Sequence, residues 1–100
     1  SGEILPKEQE DAANRRELSS KEERILKKEE EAKQKKVKRL KNALEEEITN
    51  LEGELAKMSQ KFSDENISKD RKKLEELSKK YSEIEQTLED RYAEWMKLYE

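Results

Sequence analysis

Large apolar residues fall on two stretches of this chain with the spacing of a helix seam. In the first, Val37, Leu40, Leu44, Ile48, Leu51, Leu55, Met58 and Phe62 recur at intervals of 3, 4, 4, 3, 4, 3 and 4. That is a heptad pattern with a stutter at Leu44, a local relaxation of the supercoil. In the second, Leu74, Leu77, Tyr81, Ile84, Leu88, Trp95 and Leu98 follow at 3, 4, 3, 4, 7 and 3. The wide interval holds Arg91-Tyr92, so either Tyr92 turns inward or the seam is locally polar. Nothing alternates with period two, which removes the strand alternative. Between the two stretches lies Ser63-Asp64-Glu65-Asn66-Ile67-Ser68. Its short polar side chains bond nearby backbone groups and favour caps and turns.

Two helices joined by a short turn pack as antiparallel neighbours. The pattern therefore predicts an all-α fold, a two-helix antiparallel coiled-coil hairpin with a flexible N-terminal linker. The linker covers residues 1–20, where Pro6, Asn14 and Ser19-Ser20 interrupt and few large apolar residues occur. The hairpin covers residues 21–100, with helix 1 over about 21–62, the turn at 63–68 and helix 2 over about 69–99. Ser19 or Ser20 can cap helix 1, with Glu22 or Glu23 three residues on, as in a capping box. One register aligns six apolar layers: Met58 with Leu74, Leu55 with Leu77, Leu51 with Tyr81, Ile48 with Ile84, Leu44 with Leu88, and Val37 with Trp95. Phe62 then faces Asp70, Leu40 faces Tyr92, and Glu45 lies near Glu85. Leu98 falls level with Gln34, which leaves residues 21–33 without a partner, as a lone charged helix or a frayed end.

Composition sharpens this picture. Charged residues make up 49% of the 100 residues and apolar ones only 30%, close to the border of disorder. The same balance is the A/E/K/L/R signature of long helices, and the heptads decide for helix. With no Cys and no His, disulfides, Cys-based metal sites and His-based catalysis drop out. The carboxylates sit on solvated faces; Glu45-Glu46-Glu47 reads as such a face rather than a metal site. Gly53 stands alone, faces outward, and costs helix stability rather than cradling a phosphate. No active site, metal or cofactor is therefore expected in this fragment. No run has the length of a membrane span and no signal-peptide pattern opens the chain, so a cytoplasmic protein or fragment is expected.

The net charge of −3 hides a basic block, since residues 25–42 hold 8 basic and 3 acidic groups. Its centre contains Lys33, Lys35, Lys36, Lys38, Arg39 and Lys41 with no acid among them. Clustered Lys and Arg neutralise phosphates and release counterions, a sequence-independent attraction to nucleic acid. The competing explanation is a solvated helix face with chance clustering. A membrane surface fits less well, because Val37 and Leu40 belong to the seam and no separate apolar face remains. Trp95 is expected to close the base of the hairpin against Val37, with lysine stems packed on its ring.

Four pieces then resemble one known family. They are Leu18-Ser19-Ser20-Lys21-Glu22-Glu23, the basic run before the first heptads, the Ser63-Asp64-Glu65-Asn66 turn, and the closing Tyr92-Ala93-Glu94-Trp95-Met96-Lys97-Leu98. Together they resemble the C-terminal domain of ABC-F ATPases, the soluble tandem-cassette proteins with Uup-like members, over about 80 of the 100 residues. The resemblance implies a parent protein that binds and hydrolyses ATP in two upstream ABC domains, with this domain as its non-catalytic C-terminal arm. It also implies contact with DNA in Uup-like members, and with the ribosome or ribosomal RNA in translation factors and antibiotic-resistance members. One position departs: the aromatic after the first serine of the family's LSY-like motif is Ser20 here, and a contact that depends on that aromatic does not carry over. The nucleic-acid role is placed on Lys33, Lys35, Lys36, Lys38, Arg39 and Lys41, with a monomer expected. The alternative is a structural or protein-binding coiled coil that self-associates through the unpaired residues 21–33.

Overall fold

The structure, a computed structural model, describes residues 6–100. The described residues form three helices: α1 over Pro6–Lys61, α2 over Glu65–Ser68 and α3 over Arg71–Lys97. They group into two units, Ser1–Lys36 and Val37–Glu100.

The described part of the first unit is helical from Pro6. Residues 6–20 of the expected linker thus have helical backbone, while residues 1–5 lie outside the described residues. The reason is chemical. Proline at the first position of a helix sacrifices only an N–H that has no partner there, and its fixed φ suits the helix. Glu8 to Leu18 are then mostly strong helix formers. Asn14, Ser19 and Ser20 each cost a few tenths of a kcal/mol, too little to end the helix. Of the side chains described in this unit only Ala12 is not exposed, and Glu17 pairs with Lys21 at 3.6 Å.

The second unit is the antiparallel coiled-coil hairpin that the heptads predict. Ile48 on α1 and Leu77 on α3 are buried, at 6% and 8% exposure. Val37, Leu44, Leu51, Leu55, Met58, Phe62, Leu74, Tyr81, Ile84, Leu88, Trp95 and Leu98 are half-buried along the same seam. Leu40 is instead 45% exposed.

The reversal contains more structure than a turn. Ser63 and Asp64 donate their backbone N–H groups to the carbonyls of Gln60 and Lys61, which closes α1. Asp64 caps the one-turn helix α2 by accepting from the Asn66 N–H at 2.9 Å. Asp70 caps α3 by accepting from the Lys73 N–H at 3.1 Å. These carboxylates satisfy N–H groups that a helix start leaves free.

The two arms meet about one heptad, roughly seven residues, from the register with the six matched layers. Tyr81 packs edge-on against Phe62, with ring centroids 5.7 Å apart, instead of lying level with Leu51. Trp95 reaches Glu45 rather than Val37. Arg91 reaches Glu47 at 2.8 Å, and Lys41 lies over the Tyr99 ring. This register lets α2 help cover the start of α3: Ile67 lines a common groove with Met58 and Leu77. A slip of one heptad conserves the apolar pattern but forfeits these side-chain contacts.

Gly53 offers a clean test of the α1 backbone. A methyl group there would meet nothing within 4 Å. Gly53→Ala is expected to stabilise the hairpin by about 1 kcal/mol, the helix-propensity difference alone. In a thermal melt that is an upward shift of roughly 4–8 °C.

Candidate nucleic-acid interface

All six residues of the basic run lie on α1. Lys33, Lys35 and Lys36 are exposed at the end of the first unit, and Lys38 and Arg39 are exposed at the start of the second. A helix turns about 100° per residue, so within each unit neighbouring charges project in different directions instead of forming one face. That arrangement suits a diffuse electrostatic contact with phosphates, not a shaped pocket.

Lys41 is different, because it is half-buried and its Nζ sits 3.8 Å from the centroid of the Tyr99 ring. An ammonium over an aromatic face is held by the ring quadrupole. Lys41 therefore belongs to the base of the hairpin more than to the exposed run.

The base is a cluster built on Glu45. Its carboxylate accepts from the Trp95 Nε1–H at 3.1 Å and from the Tyr99 hydroxyl at 3.5 Å. Trp95 and Tyr99 pack with centroids 4.7 Å apart at a tilt of 57°. Trp95 thus closes the base as expected, but its partners are Glu45 and Tyr99, and the lysine sits on the tyrosine ring. Spacing alone could not identify Glu45, because its role depends on the register. Its heptad relation to Glu52 was the available signal, since Tyr92 on α3 and Tyr99 just beyond its end repeat at the same interval.

Tyr92, one heptad before Tyr99, donates its hydroxyl to Glu52. That hydrogen bond, then desolvation, then the Glu52 charge hold its phenol above the usual range near 10. A raised folded-state pKa means that the contact contributes below the ordinary phenol pKa and is lost as pH rises through the folded value. The hairpin is therefore expected to lose stability above about pH 10. Melting curves of the native chain and Tyr92→Phe, compared at about pH 8 and about pH 11, check this. The gap between the two proteins should shrink at the higher pH.

On the other flank Arg91 fills the polar interval of the second heptad run. It bonds Glu47 at 2.8 Å and Glu94 at 3.1 Å. The Glu47 hydrogen bond, followed by the charges of Glu47 and Glu94, holds its guanidinium more firmly protonated than usual. The seam is locally polar at this point, and Tyr92, 41% exposed, lies outside it.

Among the described residues, no cluster of three or more Asp and Glu side chains is arranged to hold a metal ion. No helix among them is long and apolar enough to cross a membrane.

Comparison with curated proteins gave no match, and comparison with solved structures gave none. The family model described as ABC transporter C-terminal domain matches residues 17–100. That span includes the helix before the basic run, the hairpin reversal and the aromatic base. The chain belongs to the ABC transporter C-terminal domain family, in agreement with the ABC-F resemblance of its sequence.

Proposed function

We propose that this domain is the non-catalytic C-terminal arm of an ABC-F ATPase and contacts nucleic acid, either DNA or ribosomal RNA, through the basic segment of α1. The observation that carries the proposal is the exposure of Lys33, Lys35, Lys36, Lys38 and Arg39 along a helix in a chain of this family. Lys41 contributes charge nearby while its ammonium rests on Tyr99. In this proposal the parent protein is cytoplasmic and uses ATP in upstream ABC domains, and the arm acts as a monomer with no membrane contact. Binding of this kind is dominated by phosphate neutralisation and falls steeply with salt. A gel-shift titration with DNA and RNA over a range of salt concentrations tests it. Binding that ignores salt would reject the proposal.

A second reading rests on a separate observation. Leu18, Ile25 and Leu26 are 57%, 56% and 64% exposed on the first unit. Leu18 and Ile25 are one heptad apart, the spacing of a coiled-coil seam. A partner helix there would make this segment a protein-binding or self-associating coiled coil. Light scattering separates the two: a mass that rises with concentration favours association, and a constant monomer mass favours the arm acting alone.

A further inference from the structure

We propose that the tip of the hairpin is a docking groove for an acidic segment of another protein that inserts one large apolar side chain. The groove has contributions from all three helices of the hairpin. Met58 comes from α1, Ile67 from α2 and Leu77 from α3, and these give it an apolar floor. Lys61, Lys73 and Lys80 line it as well, with Glu76 as the single acid. Its volume is about 210 Å³. At roughly 30 Å³ per liquid water, this is room for one large side chain and not for a folded element.

The charges select the occupant. Three lysines and one glutamate line the groove, so its rim favours an acidic ligand. The ion pairs at this end of the hairpin are Lys69–Glu65 and Arg71–Glu75. They leave the three groove lysines out, so a partner's carboxylates would not have to displace existing pairs. Lysine stems extend along apolar surface while the ammonium stays in water, which continues the floor up the walls. Met58 adds a flexible, polarizable thioether that adapts to different apolar side chains.

A nucleic acid fits less well. Its phosphates would meet the lysines, but no aromatic ring lines the groove for a base to stack on. The apolar floor would then stay uncovered. A peptide with an apolar residue between acidic ones satisfies both the floor and the rim.

The test uses the full chain with labelled methyl groups, observed by NMR. Two probes are titrated: a short glutamate-rich peptide with a central leucine, and the same peptide with alanine in that position. An unstructured RNA oligonucleotide is the third arm. The leucine peptide is expected to move the Met58, Ile67 and Leu77 methyl signals. The alanine peptide should bind about tenfold more weakly, and so should the leucine peptide to a chain with Lys61→Glu, Lys73→Glu and Lys80→Glu. Circular dichroism of that variant should match the native chain, because it removes no ion pair. Equal binding of both peptides would overturn the proposal by showing charge attraction alone. So would larger shifts of the same methyls with RNA, an absence of shifts at saturation, or signal loss that tracks self-association of the chain.

Discussion

Replacing Lys33, Lys35, Lys36 and Lys38 with Glu is expected to lower the affinity for nucleic acid on the order of a hundredfold at low salt. Each lysine that meets a phosphate releases a counterion, so four lost contacts also change the salt dependence. The slope of log affinity against log salt should flatten by about 3 to 4. Both DNA and RNA should weaken, because phosphate neutralisation is independent of sequence. The helix itself should persist: Glu and Lys have similar helix propensity, all four side chains are exposed, and the new like-charge pairs with Glu29 and Glu31 cost only a few tenths of a kcal/mol each. A gel-shift series at several salt concentrations, with circular dichroism as the control, measures both effects. An unchanged slope would show that these lysines touch no phosphate, whatever the absolute affinity.

Ile48→Ala and Leu77→Ala should each destabilise the hairpin by roughly 2–3 kcal/mol, the low end for truncating a buried aliphatic side chain. The low end applies because a two-helix seam is thin and can partly collapse. Alanine also returns a few tenths of a kcal/mol through better helix propensity at Ile48. A domain of this size has only a few kcal/mol in hand. Each change should therefore drop the melting temperature by about 10–20 °C, and the double variant should be largely unfolded at room temperature. Glu46→Ala, on an exposed site of α1, should shift it by little. A drop at Ile48 or Leu77 no larger than that of Glu46→Ala would mean the seam does not hold the arms together.

Much of the fold could be read from spacing, and the remainder shows where spacing stops. Leu44, Leu51, Leu55, Ile84 and Leu88 all lie on the seam that their 3–4 intervals indicate. The register was not legible, for a physical reason. A heptad repeat matches itself after a shift of seven residues, so Met58 opposite Leu74 looks as good as Met58 nearer Tyr81. The choice falls to contacts that do not repeat: Arg91 on Glu47, Trp95 on Glu45, Phe62 on Tyr81. Each is worth about a kcal/mol or less, but together they distinguish registers that the apolar layers leave nearly equal. Ile67 adds to this, since it looked like part of a turn and proves to sit on α2 as part of the tip.

The start of α1 escaped for a different reason. Pro6 and Ser19-Ser20 are punctuation marks in a sequence, yet the first suits a helix start and the others are too weak to break one. In the candidate interface, the exposed positions of Lys33, Lys35, Lys36, Lys38 and Arg39 follow from charge alone. The placement of Lys41 on Tyr99 required the register, and so did the role of Glu45.

The central claim is that the hairpin closes on itself in the register fixed by its aromatic base. The chain has no cysteine, so Ala56→Cys with Lys97→Cys gives two spin-label sites, both exposed and on opposite arms. Pulsed electron resonance then measures the distance between them in dilute solution. The structure predicts a single intramolecular distance, about 10 Å less than the register with the six matched layers would give at 1.5 Å rise per residue. The longer distance, or one that appears only as concentration rises, would contradict it.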